Sequence, residues 1–73
     1  MKVALIDDER PVLETTESVL LHYFNDLEIQ KAGSVTEGVE LLKSYQPDLL
    51  FLDVEMQDGT GFDLLTRVLE IKM

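Results

Sequence analysis

Lys2-Val3-Ala4-Leu5-Ile6-Asp7-Asp8-Glu9 and Asp48-Leu49-Leu50-Phe51-Leu52-Asp53-Val54-Glu55 share one pattern: a short apolar run that ends in a cluster of carboxylates. Runs of this length, rich in β-branched and large aliphatic residues, suit buried strands. As parallel strands of one sheet, the two runs would bring their acidic ends to its C-terminal edge, where open α/β sheets bind ligands. Carboxylates gathered without basic partners repel one another unless a hard cation joins them, and Mg²⁺ prefers oxygen ligands. The spacing therefore predicts a divalent-metal pocket built from Asp7, Asp8 and Asp53.

The residues between these runs supply the rest of such a fold. From Pro11 onward, Val12, Leu13, Thr16, Val19, Leu20, Tyr23 and Phe24 recur at helical spacing, with Glu14, Glu17 and Ser18 on the other side. Pro11 suits a first helical turn, and Asp8 or Glu9 lies where negative charge favours a helix start. Leu27 to Ala32 alternates apolar with polar, the pattern of a half-exposed edge strand. Ser34 followed by Glu37 is a capping-box signature, and it precedes a helix carrying Val35, Val39, Leu42 and Tyr45. Gly38 weakens that helix, and Gln46-Pro47 stops it. After Asp53, Met56 to Gly61 reads as a turn-rich loop. A last helical pattern follows in Phe62, Leu64, Leu65, Val68, Leu69 and Ile71, capped by Thr60 with Asp63 reaching back. The order βαβαβα makes the fold class α/β, a parallel sheet with helices packed against it.

Composition narrows the chemistry. At 73 residues the chain holds one small domain, and its 45% hydrophobic content is enough for a packed core despite the acidity. A formal net charge of −9 argues against contact with nucleic acid or an anionic membrane and in favour of a cation or a basic partner. No apolar run approaches the roughly 20 residues of a membrane span, and no secretion signal is visible, so a cytoplasmic location is expected. The absence of cysteine excludes thiolate chemistry, and the single histidine excludes multi-histidine metal sites. His22 reads as a solvated helix residue, and Tyr23 and Phe24 read as core. Among three carboxylates, two suffice to hold Mg²⁺ with waters and a backbone carbonyl, and the third is placed to attack phosphorus as a nucleophile.

Leu5-Ile6-Asp7-Asp8-Glu9, Pro47 to Met56 and Gly59-Thr60-Gly61-Phe62-Asp63-Leu64-Leu65 together resemble the receiver domain of bacterial two-component response regulators. The style of the third-strand loop is similar to regulators carrying LytTR-type DNA-binding domains. The resemblance implies a flavodoxin-like fold, of which residues 1–73 would form the first three of five βα units, with the three strands in order 2-1-3. It implies that Asp53 is the phospho-acceptor for a sensor histidine kinase. It further implies that Asp8 ligates Mg²⁺ directly, Asp7 directly or through water, and Glu55 through its main-chain carbonyl. Such a protein is a signalling module, not an enzyme, with at most slow autodephosphorylation. Gln57 departs from the proline usual in the family at this position.

The family's later elements carry a hydroxyl residue, a lysine that pairs with the phosphoryl group and an aromatic switch residue. None of Lys2, Lys31, Lys43 and Lys72 takes that lysine's place. One structural expectation and two competing readings remain. In order 2-1-3 the third strand is an edge although its sequence is written for an interior, so residues 49 to 52 invite self-association. A competing reading is a receiver segment without phosphotransfer that serves as a dimerisation or interaction module. A third is a Mg²⁺-dependent phosphatase with an aspartate nucleophile, but that class places a second acid two residues after its nucleophile, which Asp53-Val54-Glu55 only loosely imitates, and its cluster follows the first strand.

Overall fold

The computed structural model describes residues 1–72, with side chains described through Leu69. Eight elements follow in order: β1 (Lys2–Ile6), α1 (Arg10–Tyr23), β2 (Glu28–Ala32), α2 (Val35–Ser44), β3 (Leu49–Leu52), β4 (Glu55–Met56), β5 (Gly59–Thr60) and α3 (Gly61–Lys72). The first, second and third strands form a parallel sheet in the order β2-β1-β3, so the expected α/β topology and strand order hold.

β1 lies at the centre because it is the strand with apolar side chains on both faces. Val3, Ala4, Leu5 and Ile6 are buried. Alternation divides them between two cores. Val3 and Leu5 pack with Leu13 of α1, while Ala4 and Ile6 pack with Val35, Val39 and Leu42 of α2 and Leu64 of α3. One helix therefore covers one face and two cover the other. Burial of each large aliphatic side chain in these cores contributes roughly 1.5–3 kcal/mol, which makes β1 the main organiser of the fold.

Gly38 shows how closely the two-helix face is packed. A Cβ built there would lie 2.5 Å from Leu64 Cδ1 and 3.0 Å from Ile6 Cδ1. The glycine that weakens α2 as a helix former is what lets α2 approach β1 and α3.

Helix α2 starts at the capping box read from the sequence, with the Glu37 N–H donating to Ser34 Oγ at 3.0 Å. It ends before Pro47, and the buried Tyr45 hydroxyl donates to the Glu28 carbonyl at 2.9 Å, tying the end of α2 to β2. Its pKa is raised, chiefly by burial of the ring. Helix α3 is capped as expected: the Asp63 N–H donates to Thr60 Oγ1 at 3.0 Å, and the Thr60 N–H donates to Asp63 Oδ2 at 2.9 Å.

Three expectations need correction. Tyr23 and Phe24 are not core residues: they are 73% and 56% exposed, and Leu13 is the buried residue of α1. The cause is geometric, since a single helix over a three-stranded sheet presents only a narrow stripe to it, and Val12 and Val19 on the flanks are also exposed. The segment from Met56 to Gly61, expected to be a turn-rich loop, holds short strands on either side of its turn. Glu55 and Met56 pair antiparallel with Thr60 and Gly59, forming a hairpin around Gln57-Asp58. Finally, the α3 pattern buries Leu64 and part of Val68, while Phe62, Leu65 and Leu69 are exposed and the side chain of Ile71 lies outside the described residues.

Candidate functional site

The parallel ladder carries the acidic residues to one edge. Just beyond the last residues of β1 and β3, the Asp7 N–H donates to the Ala32 carbonyl at 3.1 Å and the Asp53 N–H donates to the Ile6 carbonyl at 2.9 Å. Each aspartate is thus held by the same backbone pairing that forms the sheet. Asp7, Asp8 and Asp53, all half-buried, each present a carboxylate oxygen, and the three oxygens lie within 4.8 Å of one another. The sequence separation of 46 residues between Asp7 and Asp53 is removed by register alone.

Each carboxylate also accepts one main-chain N–H. Asp7 Oδ1 accepts from Glu9 at 2.9 Å, Asp53 Oδ1 from Glu55 at 3.4 Å, and Asp8 Oδ2 from Gln57 at 3.0 Å. Among the described residues the ion pairs are Lys31–Glu17 and Lys43–Glu40, and neither reaches the cluster. Three carboxylates at this separation, without a cationic side chain bonded to them, form an all-oxygen donor set of the kind that suits Mg²⁺ and does not suit a soft metal. The residues present therefore fit the cation that the sequence implied.

Glu55 lies two residues beyond Asp53, at the start of β4, with its side chain exposed. Its carboxylate is not part of the cluster. Gly61 sets the other boundary of the site: a Cβ there would come 2.5 Å from the Asp53 carbonyl oxygen and 3.0 Å from Leu52 Cγ. The Gly61 N–H also donates to the Val54 carbonyl at 2.8 Å. The chain can turn from Asp53 through the hairpin into α3 only with no side chain at position 61.

Two residues of the hairpin escaped the sequence reading. Asp58 accepts at Oδ1 from the Val35 N–H (2.8 Å) and at Oδ2 from the Thr36 N–H and hydroxyl (3.1 Å each), so it caps α2 from a distance. These backbone N–H bonds hold its pKa below the usual aspartate value. Gln57 reaches Asp8 through its backbone. The Asp58-Gly59 turn signal was visible in the sequence, but nothing local revealed either partner.

Openings flank the cluster on more than one side. A groove of about 210 Å³ runs between α1 and β3, with Val12, Leu13 and Phe51 on its walls and Asp7 and Asp53 at its end. A second, of about 410 Å³, lies beside Asp7 and Asp8 and is bordered by Arg10, Lys31 and Glu37. Among the described residues no helix is long and apolar enough to cross a membrane.

Residues 3–72 match the family model described as the response regulator receiver domain. The chain belongs to that family. It is 33% identical over 72 residues to the sensory transduction protein LytT of Enterococcus faecalis, covering 99% of this chain and 30% of the relative. It is 36% identical over 73 residues to LytR of Staphylococcus saprophyticus, covering 99% of this chain and 28% of that protein. The chain thus spans about 30% of the length of the first of these relatives. Among solved structures, the MaeR response regulator bound to beryllium trifluoride superposes with a TM-score of 0.83 at 25% identity, over 99% of this chain and 59% of that one. The receiver fold is as the sequence led us to expect, and these relatives are consistent with the expected likeness to LytTR-type regulators.

Proposed function

We propose that Asp53 accepts a phosphoryl group from a sensor histidine kinase, with Asp7, Asp8 and the main-chain carbonyl of Glu55 holding Mg²⁺ beside it, and that the modified segment regulates an output domain. The observation that carries this reading is the convergence of the Asp7, Asp8 and Asp53 carboxylates within 4.8 Å at the C-terminal edge of the sheet. An Asp53 oxygen forms the new bond to phosphorus as the phosphorus–nitrogen bond of the phosphohistidine breaks and the imidazole leaves. The cation would offset charge on the transferring group. Asp7 and Asp8 hold their positions through main-chain N–H bonds, and Asp53 is fixed by its ladder bond to Ile6. The segment is a phospho-acceptor, not a turnover enzyme, and it acts in the cytoplasm without touching nucleic acid itself.

Titration with beryllofluoride and Mg²⁺ tests this, because the adduct mimics an aspartyl phosphate. A Mg²⁺-dependent spectral change that disappears in Asp53→Ala supports the assignment, and a change that persists in that variant sinks it.

One observation favours a second role for the 73-residue chain as an association module. Leu49 and Phe51 of β3 are 43% and 41% exposed on the edge of the sheet, and among the described residues β3 pairs on one side only, with β1. An apolar edge of this kind pairs with a second copy unless another segment covers it.

A further inference from the structure

The three N–H bonds to the acidic cluster are not equivalent. Asp7 and Asp53 each accept from a residue two positions further along the chain, so those bonds are local. Asp8 accepts from Gln57, 49 positions away, so its bond exists only while the β4–β5 hairpin stands over the cluster. The next residue, Asp58, secures that hairpin to the first turn of α2 through Val35 and Thr36. Proline, usual in the family at the position of Gln57, has no N–H to give.

We propose that the Gln57 main-chain N–H is a positioning group that holds Asp8 for the cation, and that Asp58 keeps the turn in place for it by anchoring it to α2. This rests on the cation site proposed above. Three carboxylates within 4.8 Å repel, and the one without a local N–H partner is the one free to swing away. The Gln57 N–H offsets part of that repulsion and fixes the Asp8 rotamer. A carboxylate has about four lone-pair sites, so one accepted N–H leaves room for a metal bond. Two adjacent residues of one turn thereby link the cluster to the start of α2.

The test compares Mg²⁺ titrations of the unmodified chain, Gln57→Pro and Gln57→Ala, followed by the NMR shift of the Asp8 amide, with amide exchange at Val35 and Thr36 measured alongside. Proline suits the first central position of a turn, so Gln57→Pro removes the N–H without forbidding the hairpin. The expected result is Mg²⁺ binding about fivefold weaker in Gln57→Pro and unchanged in Gln57→Ala, which keeps the N–H. Asp58→Ala weakens Mg²⁺ binding in the same direction and speeds exchange at Val35 and Thr36 by about the same factor. Equal Mg²⁺ affinity in the proline and alanine variants overturns the positioning role and leaves the cation site standing. No Mg²⁺ response in the unmodified chain removes the cation site and the positioning role with it.

Discussion

The Asp58 carboxylate accepts the Val35 N–H at 2.8 Å across 23 residues of sequence, closing the N-terminus of α2 with a side chain from the hairpin that follows Asp53. The bond, with its neighbour to Thr36, keeps the Asp58 carboxyl ionised below the usual aspartate range. Because the folded pKa lies below the unfolded one, Asp58 stabilises the fold above about pH 4, and that stabilisation is lost as pH falls through the folded pKa. Urea unfolding of the unmodified chain and Asp58→Ala across pH 2 to 7 checks this. The variant is expected to be less stable at neutral pH, with the difference shrinking toward the acid end. A difference that stays constant with pH rules the linkage out.

Gly38 faces Leu64 and Ile6 at distances that leave no room for a methyl group. Alanine favours the helix by up to about 1 kcal/mol over glycine, whereas overpacking costs about 1–3 kcal/mol. Gly38→Ala is expected to lose about 1 kcal/mol net in denaturant unfolding. A stabilised variant shows that α2 shifts without cost.

Gly61 meets the Asp53 carbonyl at a comparable distance, and there the neighbour is backbone that cannot rotate away. In Gly61→Ala the turn after β3 is displaced and Asp53 moves with it. The beryllofluoride response is expected to weaken by about tenfold or more, since small misplacements of reacting groups are costly. An unchanged response means that position 61 does not set the place of Asp53.

Leu49 and Phe51 of β3 are exposed, and the proposed association of two copies through that strand rests on them. Light scattering at micromolar concentrations is expected to give a mass above that of one chain, and Phe51→Lys is expected to restore the single-chain mass. A single-chain mass for the unmodified protein excludes this pairing.

The elements that sequence made legible are those with a period or a local cap. Lys2 to Ile6 read as a buried strand because the run is short, β-rich and apolar, and Ser34 with Glu37 and Thr60 with Asp63 marked two helix starts that the structure places there. The acidic cluster was legible because parallel strands must end on one edge. What escaped depends on long-range contacts. A hairpin with two residues per strand has no period to detect, and the bonds from Asp58 to Val35 and from Gln57 to Asp8 join segments that share no local signal. Tyr23 and Phe24 misled because helical spacing identifies an apolar face without saying how much of it the neighbouring sheet covers.

The most direct test of the phospho-acceptor role is a beryllofluoride titration with Mg²⁺ on the unmodified chain and Asp53→Ala, read by the amide shifts of Asp7, Asp8 and Asp53 or the residue replacing it. A saturable, Mg²⁺-dependent shift in the unmodified chain that is abolished in Asp53→Ala is the predicted result. The same shift in both proteins contradicts phosphoryl acceptance at Asp53.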